Sequence, residues 1–396
     1  MQADYLNAFY RDTWVEVNLS AIEENIRSLK ELYRDQETTI MAVVKADGYG
    51  HGAVEAAHAA IEGGATFLGV AILDEALALR EAGLTLPILV LGRMRAENAA
   101  LAAQLNISAT VYSTTWLNEA EEWMRHSDCK QPLSIHLKCD TGMGRIGFLN
   151  TTEVESAIMI INGTDLFELE GVYTHFATAD EIDVTYYEKQ YDYFKQYIQL
   201  VEDMGVNIPY IHCANSAAAM RFINRAFSMV RFGISMYGLT PSPEINELLP
   251  FPLKPAFELK TRLVQVKKVE PGTTISYGAT YTAKDEEWIG TLPIGYADGW
   301  IRAHSTNGGH VLIEGEEAPF VGRICMDQCM VKLAGPKPEG SVVTLIGFDG
   351  DESVTMEDVA QRLQTINYEI PCVIGKRVPR VYYKDGEIIA IRNDIR

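Results

Sequence analysis

Cysteine is scarce in this chain. The six residues Cys129, Cys139, Cys213, Cys325, Cys329 and Cys372 fall among 396 without the spacing of a disulfide framework, and they read as reduced thiols. Cys325 and Cys329 are the only close pair, and no second Cys or His pair stands at ligand spacing, so no metal site is expected. No apolar run approaches the roughly 18 residues that crossing a membrane requires. The opening Met1-Gln2-Ala3-Asp4-Tyr5 has neither a basic region nor an apolar stretch, so no signal peptide is expected and the chain reads as cytoplasmic. Positive charge is short as well. Lys and Arg number 34 against 54 Asp and Glu, a formal charge of −20, which disfavours nucleic acid and anionic membranes as partners because both need a basic face. Short-period repeats are missing. What remains, 47% apolar and 22% charged residues, is ordinary globular composition, and the length allows two or three domains.

TWVEVN at 13–18 alternates as a half-buried strand, and Ser20 is placed to cap a helix through about Tyr33. A rhythm follows. Short apolar runs at 40–44, 67–72, 87–91, 108–112, 133–137, 169–174, 210–214 and 229–234 alternate with helix-like segments at 51–63, 74–83, 95–105, 115–126, 151–162 and 184–204. Eight such strands alternating with helices predict a (β/α)8 barrel, although a doubly wound sheet reads similarly segment by segment. The aromatic stripe Tyr187, Tyr191 and Phe194 on the last helix reads as packing. Five prolines between 241 and 255 predict an extended linker. Beyond it, strand-like segments are punctuated by turn signals down to Lys384-Asp385-Gly386, and Thr355-x-x-Asp358 opens one helix. The expected architecture is a barrel over 13–245 followed by a mostly β domain over 246–396, which segment 1–18 could join.

In AVVKADGYGHG (42–52) a buried β-branched run ends on Lys45. A lysine there either reaches back to solvent or is used. Desolvation lowers its pKa and frees a neutral amine for Schiff-base chemistry. Barrel active sites lie where the strands end. The strand ends here offer Lys45 and Tyr49, then Lys138, Asp140 and Arg145, then His175, then Asn215 and Ser216, then Arg231, Gly233 and Ile234. Ser216 opens a helix, and Gly233 allows close backbone approach, as a phosphate cradle needs. A lysine and a phosphate cradle in one barrel suggest pyridoxal phosphate. A rival is GMGRIG at 142–147, formally a dinucleotide fingerprint and thus a dehydrogenase signal. Asp140 and Thr141 separate it from the strand, the next helix starts only after Asn150, and the unit is fifth of eight, all of which weaken it.

These motifs amount to a family resemblance over nearly the whole chain. AVVKADGYGHG, KCDTGMGRIGF (138–148), HCANSAA (212–218), VRFGISMYG (230–238), ISYGATYTA (275–283), PIGYADGW (293–300), CMDQ (325–328) and NYEIPC (367–372) resemble, in order, those of the alanine racemases, fold-type III pyridoxal-phosphate enzymes. Cys139 and the 371–380 stretch are places where family members vary.

The resemblance implies that Lys45 carries the cofactor as an aldimine and then serves as base on one face of Cα. Tyr277, donated by the partner of a homodimer, would be the base on the other face, since racemisation needs acid–base groups on both sides. His175 would support Tyr277 and be linked to Arg231, which would face the pyridine nitrogen. Tyr49, Ser216, Gly233, Ile234 and Tyr368 match phosphate contacts. Arg145 and Met326 match substrate-carboxylate contacts, Arg145 also holding the cofactor's phenolic oxygen. Tyr296 would narrow the entrance, and Lys138 matches a lysine that is carbamylated in some members. The implied function is interconversion of L- and D-alanine, supplying D-alanine for peptidoglycan. Alternatives are a racemase preferring serine or lysine, a broad-specificity racemase, a decarboxylase of the same fold, or a non-catalytic pyridoxal-phosphate carrier, which would lack a β domain bearing a base like Tyr277. The residues assign no role to His51, His58, His126, His136, His212, His304 or His310.

Overall fold

The computed structural model describes residues 9–395 and forms two compact units. One consists of Ile22–Gly48 and Ala56–Lys254; the other takes the described residues up to Ala21, Tyr49–Glu55 and Pro255 onward. The chain therefore leaves the first unit just after Lys45 and enters the second at Tyr49.

The first unit is the eight-stranded parallel barrel. Its strands are β2 (Thr39–Val43), β3 (Phe67–Val70), β4 (Ile88–Val90), β5 (Ile107–Val111), β6 (Leu133–Lys138), β7 (Phe167–Tyr173), β8 (Tyr210–His212) and β9 (Met229–Phe232), and each expected run is one of them. They pair in the order β8-β7-β6-β5-β4-β3-β2-β9. Closure is completed where Ser228 N donates to Ile211 O (3.2 Å) and Arg231 N to Ala214 O (3.0 Å). Short β-branched runs between amphipathic helices give this result because a parallel strand buried on both faces needs no polar alternation. Thr151–Asn162 and Thr185–Asp203 are the expected helices with ends shifted by a residue or so, and Asn150 caps the former through Glu153 N (3.0 Å). Met41, Phe67, Leu89, Tyr173 and Met229 pack as an apolar interior cluster. Other interior positions are polar: Ser108, Thr110, His136, His212 and Arg231 are all buried, in a place where barrels usually stack Val, Ile and Leu.

The second unit is mostly β. β1 (Thr13–Asn18) lies between antiparallel β10 (Phe257–Arg262) and parallel β20 (Arg380–Lys384), pairing Val15 with both Leu259 and Arg380. A central position explains why Thr13, Trp14 and Val15 are all buried, where simple alternation would expose one. A smaller sheet joins β11 (Gln265–Val269), β14 (Glu287–Leu292) and β17 (Cys329–Leu333). The final hairpin turns through Asp385 and Gly386, both at positive φ (51° and 82°), as the Asp-Gly signal requires. Thr355 and Asp358 exchange the reciprocal bonds of a capping box.

Two local expectations are corrected. The first helix, Leu19–Leu32, is capped by Asn18, whose Oδ1 accepts from Ala21 N (3.1 Å); Ser20 already sits in the first turn and bonds Asp385 instead. A cap must precede the helical dihedrals to reach back to the free amides. The proline-rich stretch is not wholly extended, since Pro243–Leu248 forms a 3-10 helix with proline at its start, where a fixed φ favours the turn. Its end is clamped, with buried Asn25 donating to Lys254 O and accepting from Lys254 N, both at 2.9 Å. Among the described residues no helix is long and apolar enough to cross a membrane.

Candidate active site

Half-buried Lys45 follows β2 by two residues, after Val44, whose amide bonds Gly69 O of the neighbouring strand (2.9 Å). The loop beyond it is a left-handed turn. Ala46, Asp47, Gly48 and Tyr49 have φ of 53°, 54°, 61° and 51°. A non-glycine residue in this region costs about 1–2 kcal/mol, so the turn must be held in place. Gly48 N donates to Val44 O (2.9 Å), and the Glu75 carboxylate accepts from Ala46 N and Ala71 N at 2.7 Å each. Such strain beside a lysine is the pattern of a functional site.

Arg231, on β9, is buried and uses both terminal nitrogens. Nη1 donates to His212 Nδ1 (3.0 Å) and His212 O (3.4 Å); Nη2 donates to Thr174 O (3.0 Å), His175 Nδ1 (3.1 Å) and Cys213 O (3.1 Å). Its Nε makes no hydrogen bond among the described residues. The guanidinium also lies 5.4 Å from the Tyr173 ring centre. Burial, reinforced by Arg231, Arg145, Lys138 and Lys45, drives the His175 pKa well below its ordinary value, so the ring is neutral. With Nδ1 accepting from Arg231, its proton sits on Nε2.

Lys138 ends β6 in a buried position. Desolvation first, then the charges of Arg145, Arg231 and Lys45, push its amine down to about 7 against the opposing pull of Asp140. Asp140 spends its carboxylate on the glycine loop, accepting from Gly142 N, Gly144 N and Arg145 N at 3.0 Å each. That settles GMGRIG chemically. The amides that a dinucleotide phosphate would take are bound to an internal carboxylate, and the next helix starts at Thr151. The loop instead presents Arg145, which is exposed.

Ser216 is not the cap of its short helix. Asn215 caps it through Ala218 N (3.0 Å), leaving the buried Ser216 hydroxyl to accept from Gly233 N (2.9 Å) beside buried Ile234. In the β unit, buried Tyr49 and half-buried Tyr368 have ring centres 6.4 Å apart. Gly50 passes so close to the 371 carbonyl that a Cβ would meet Pro371 O at 2.1 Å.

Tyr277, Tyr296 and Met326 share a loop cluster of the β unit. Ser276 Oγ donates to Arg323 O (2.5 Å), Tyr296 N to Cys325 O (3.1 Å) and Ala297 N to Met326 O (3.0 Å). All three side chains are exposed, at 69%, 45% and 53%. Sequence reading missed what steadies them. Fully buried Asp298 accepts from Arg11 Nη1 (2.8 Å) and Nη2 (3.1 Å), and Arg377 bridges it (3.4 Å) to Asp327 (2.9 Å). These four residues lie far apart in sequence, so only an acid inside the motif GYADGW hinted at them.

A closed parallel barrel with a strained lysine turn and a cationic cluster at its strand ends, continued by a tyrosine-bearing β unit, defines a pyridoxal-phosphate-dependent isomerase class. Residues 17–241 match the family described as alanine racemase, N-terminal domain, and 256–382 match alanine racemase, C-terminal domain. The chain is 57% identical to the alanine racemase of Halalkalibacterium halodurans, over 98% of this chain and 99% of that one. It resembles the crystal structure of Bacillus anthracis alanine racemase with bound L-Ala-P (TM-score 0.94, 46% identity, 98% and 99% covered). It also resembles the histidine racemase of Leuconostoc mesenteroides subsp. sake (TM-score 0.87, 34% identity, 95% and 99% covered). The chain belongs to the alanine racemase family.

Pyridoxal phosphate, the family's cofactor, suits these residues. Of the groups acting on Lys138 only Asp140 opposes the cations, and Asp140 is already engaged, so the strand ends carry a surplus of positive charge for an anion. Arg231 keeps one N–H, at Nε, in hand for an aromatic nitrogen. Among the described residues no group of three or more His, Cys, Asp or Glu could hold a metal ion.

Proposed function

We propose that the chain interconverts L- and D-alanine in the cytoplasm as a homodimer, with Lys45 and Tyr277 of the partner subunit moving the proton on opposite faces of Cα. Bound pyridoxal phosphate acidifies that Cα–H by withdrawing electrons from it. Everything else falls to the protein. Lys45 lies within electrostatic reach of Lys138 and His175 at the strand ends, where it would take the proton on one face of Cα. His175 is neutral with its proton on Nε2, free to donate to a phenolic oxygen and so lower the cost of a tyrosinate. Arg231 offers Nε–H without surrendering a proton, since a guanidinium stays charged. Tyr49, Ser216, Gly233, Ile234 and Tyr368 would hold the phosphate. Arg145 and the Met326 backbone would take the substrate carboxylate, and Tyr296 would favour a side chain as small as methyl. The observation that carries this reading is Arg231, with five bonds fixing Nη1 and Nη2 and none at Nε.

Lys138 supports a further modification. An amine with a pKa of about 7 is substantially neutral at physiological pH, as reaction with dissolved carbon dioxide requires, and the carbamate would pair with Arg145. Isotopically labelled bicarbonate should give a protein-bound carbamate signal that Lys138→Ala abolishes.

The test of the main reading has two arms. Purified protein should take up pyridoxal phosphate as a yellow chromophore, which borohydride fixes on Lys45 in peptide mapping. Chiral analysis across alanine, serine, lysine and histidine should then show alanine racemised fastest. No uptake of the cofactor sinks the whole reading; a different preferred amino acid sinks the substrate assignment alone.

A further inference from the structure

Arg231 is the end of a longer chain of bonds that runs inside the barrel and that the functional reading does not use. His212 Nε2 lies 2.9 Å from His136 Nδ1, His136 Nε2 lies 3.0 Å from Glu170 Oε2, and Ser108 Oγ donates to the same carboxylate oxygen (2.5 Å). Both imidazoles are fully buried. The direction of the chain follows from its ends. A guanidinium can only donate, so His212 Nδ1 is an acceptor and its proton is on Nε2. That proton points at His136 Nδ1, which must accept, and His136 then donates from Nε2 to the Glu170 carboxylate, which can only accept when ionised. Any second proton in the chain would set two donors face to face. Four side chains on four strands therefore admit one proton arrangement, Arg231→His212→His136→Glu170.

The barrel makes room for this deliberately. A Cβ at Gly171 would lie 2.2 Å from His136 Nδ1, so glycine is what lets the ring occupy its place. The β6–β7 register slips between Ile135 and His136, at the residue that carries the ring. Tyr173 stacks on His212 with ring centres 4.6 Å apart and planes 5° from parallel, and the same Tyr173 lies beneath Arg231. Tyr173 is itself fixed by Thr110 (2.8 Å). Its pair of contacts restrains the relay sideways while the hydrogen bonds restrain it lengthwise.

We infer that Glu170 and His136 are positioning residues for the racemase reaction: through His212 they hold Arg231 in the one orientation that turns its Nε–H away from the barrel's hydrogen-bond chain. This rests on the functional reading above for what Nε meets. The physical basis is that each imidazole donating toward a carboxylate becomes a better acceptor at its other nitrogen, as with metal-bound imidazoles backed by carboxylates. Replacing the carboxylate by an amide removes the fixed direction, because an amide can donate as readily as it accepts.

The experiment compares the holoenzyme with Glu170→Gln and Gly171→Ala, using NMR of isotopically labelled histidine rings together with steady-state kinetics. In the wild type both His136 and His212 should carry their proton on Nε2 alone. Glu170→Gln should introduce a second tautomer at His136 and lower kcat about tenfold, the scale on which lost outer partners act, with KM changed less than about twofold. Gly171→Ala should displace the His136 ring and lower kcat similarly while Arg231 itself is untouched. A proton on Nδ1 of either histidine in the wild type overturns the relay, whatever the variants do. So does Glu170→Gln with kcat and tautomers unchanged. If the protein takes up no pyridoxal phosphate the functional reading fails separately, and the tautomers in the wild-type protein still decide the relay.

Discussion

The two units carry chemistry in opposite ways. At the barrel's strand ends Arg231, Lys138 and Asp140 are buried, and Arg231 and Asp140 are fixed by several bonds apiece from their own unit. In the β unit Tyr277, Tyr296 and Met326 stand exposed on short turns and loops, steadied, among the described residues, through the local backbone and the buried Asp298 beneath. A buried charge must be satisfied where it sits or the fold loses it, so the barrel half is built in advance. An exposed tyrosine costs nothing to leave alone. It becomes useful only when something covers it, which is the physical sense of the proposed shared site between two chains.

The sharpest way to break this contrast is to remove one base from each unit. Lys45→Ala and Tyr277→Phe should each lower kcat by about 10²–10⁴-fold, the range of general acid–base catalysis, and Tyr277→Phe should leave the thermal midpoint unchanged. Mixed after subunit exchange, the two inactive variants should regain activity in heterodimers; proven exchange without rescue contradicts sharing. Arg231→Ala comes next. It removes the donor that His212 Nδ1, His175 Nδ1 and the carbonyls of Thr174 and Cys213 share, and urea unfolding should show a loss of about 3–5 kcal/mol, as for a broken buried charged network. An undiminished stability would mean the barrel half is not prebuilt.

Lys138 tests the same contrast through pH. In protein free of the carbamate its folded pKa of about 7 lies below the ordinary value of 10.5, so between these values the unfolded chain binds a proton that the folded chain does not. Stability should therefore rise with pH across that window, the penalty being present in full below it. Lys138→Gln should flatten the slope measured by urea unfolding at several pH values. The smallest effect is expected from Asp140→Asn, which turns one of the two acceptor oxygens into an NH2 and so removes at least one of the three amide contacts. A loss of about 1–3 kcal/mol, with a raised KM as the loop bearing Arg145 loosens, is the outcome to look for; an unchanged KM would detach that loop from substrate binding.

The eight barrel strands were legible because apolar runs of strand length between helical periods have few other uses. The left-handed course of Ala46–Tyr49 was not, since nothing in Ala or Asp announces a positive φ that only Glu75, some thirty residues on, helps to hold. His136 and His212 illustrate the same limit. Read along the chain they are isolated histidines on apolar strands. Only when β6, β7, β8 and β9 are side by side do Glu170, the two rings and Arg231 form a line.

By itself, then, the order of residues determined the alternation of strands and helices, the barrel, the capping box at Thr355, the Asp385-Gly386 turn and the motifs that name the family, all properties of local pattern. Tertiary structure alone decided that β1 belongs among β10 and β20, that Asp140 silences the glycine loop, that Ser216 answers Gly233 and that Asp298 anchors Arg11. The physical reason is common to these cases. Hydrogen bonds and ion pairs have ranges of a few ångströms in space and no preferred separation in sequence, so they become visible only once the chain has brought their partners together.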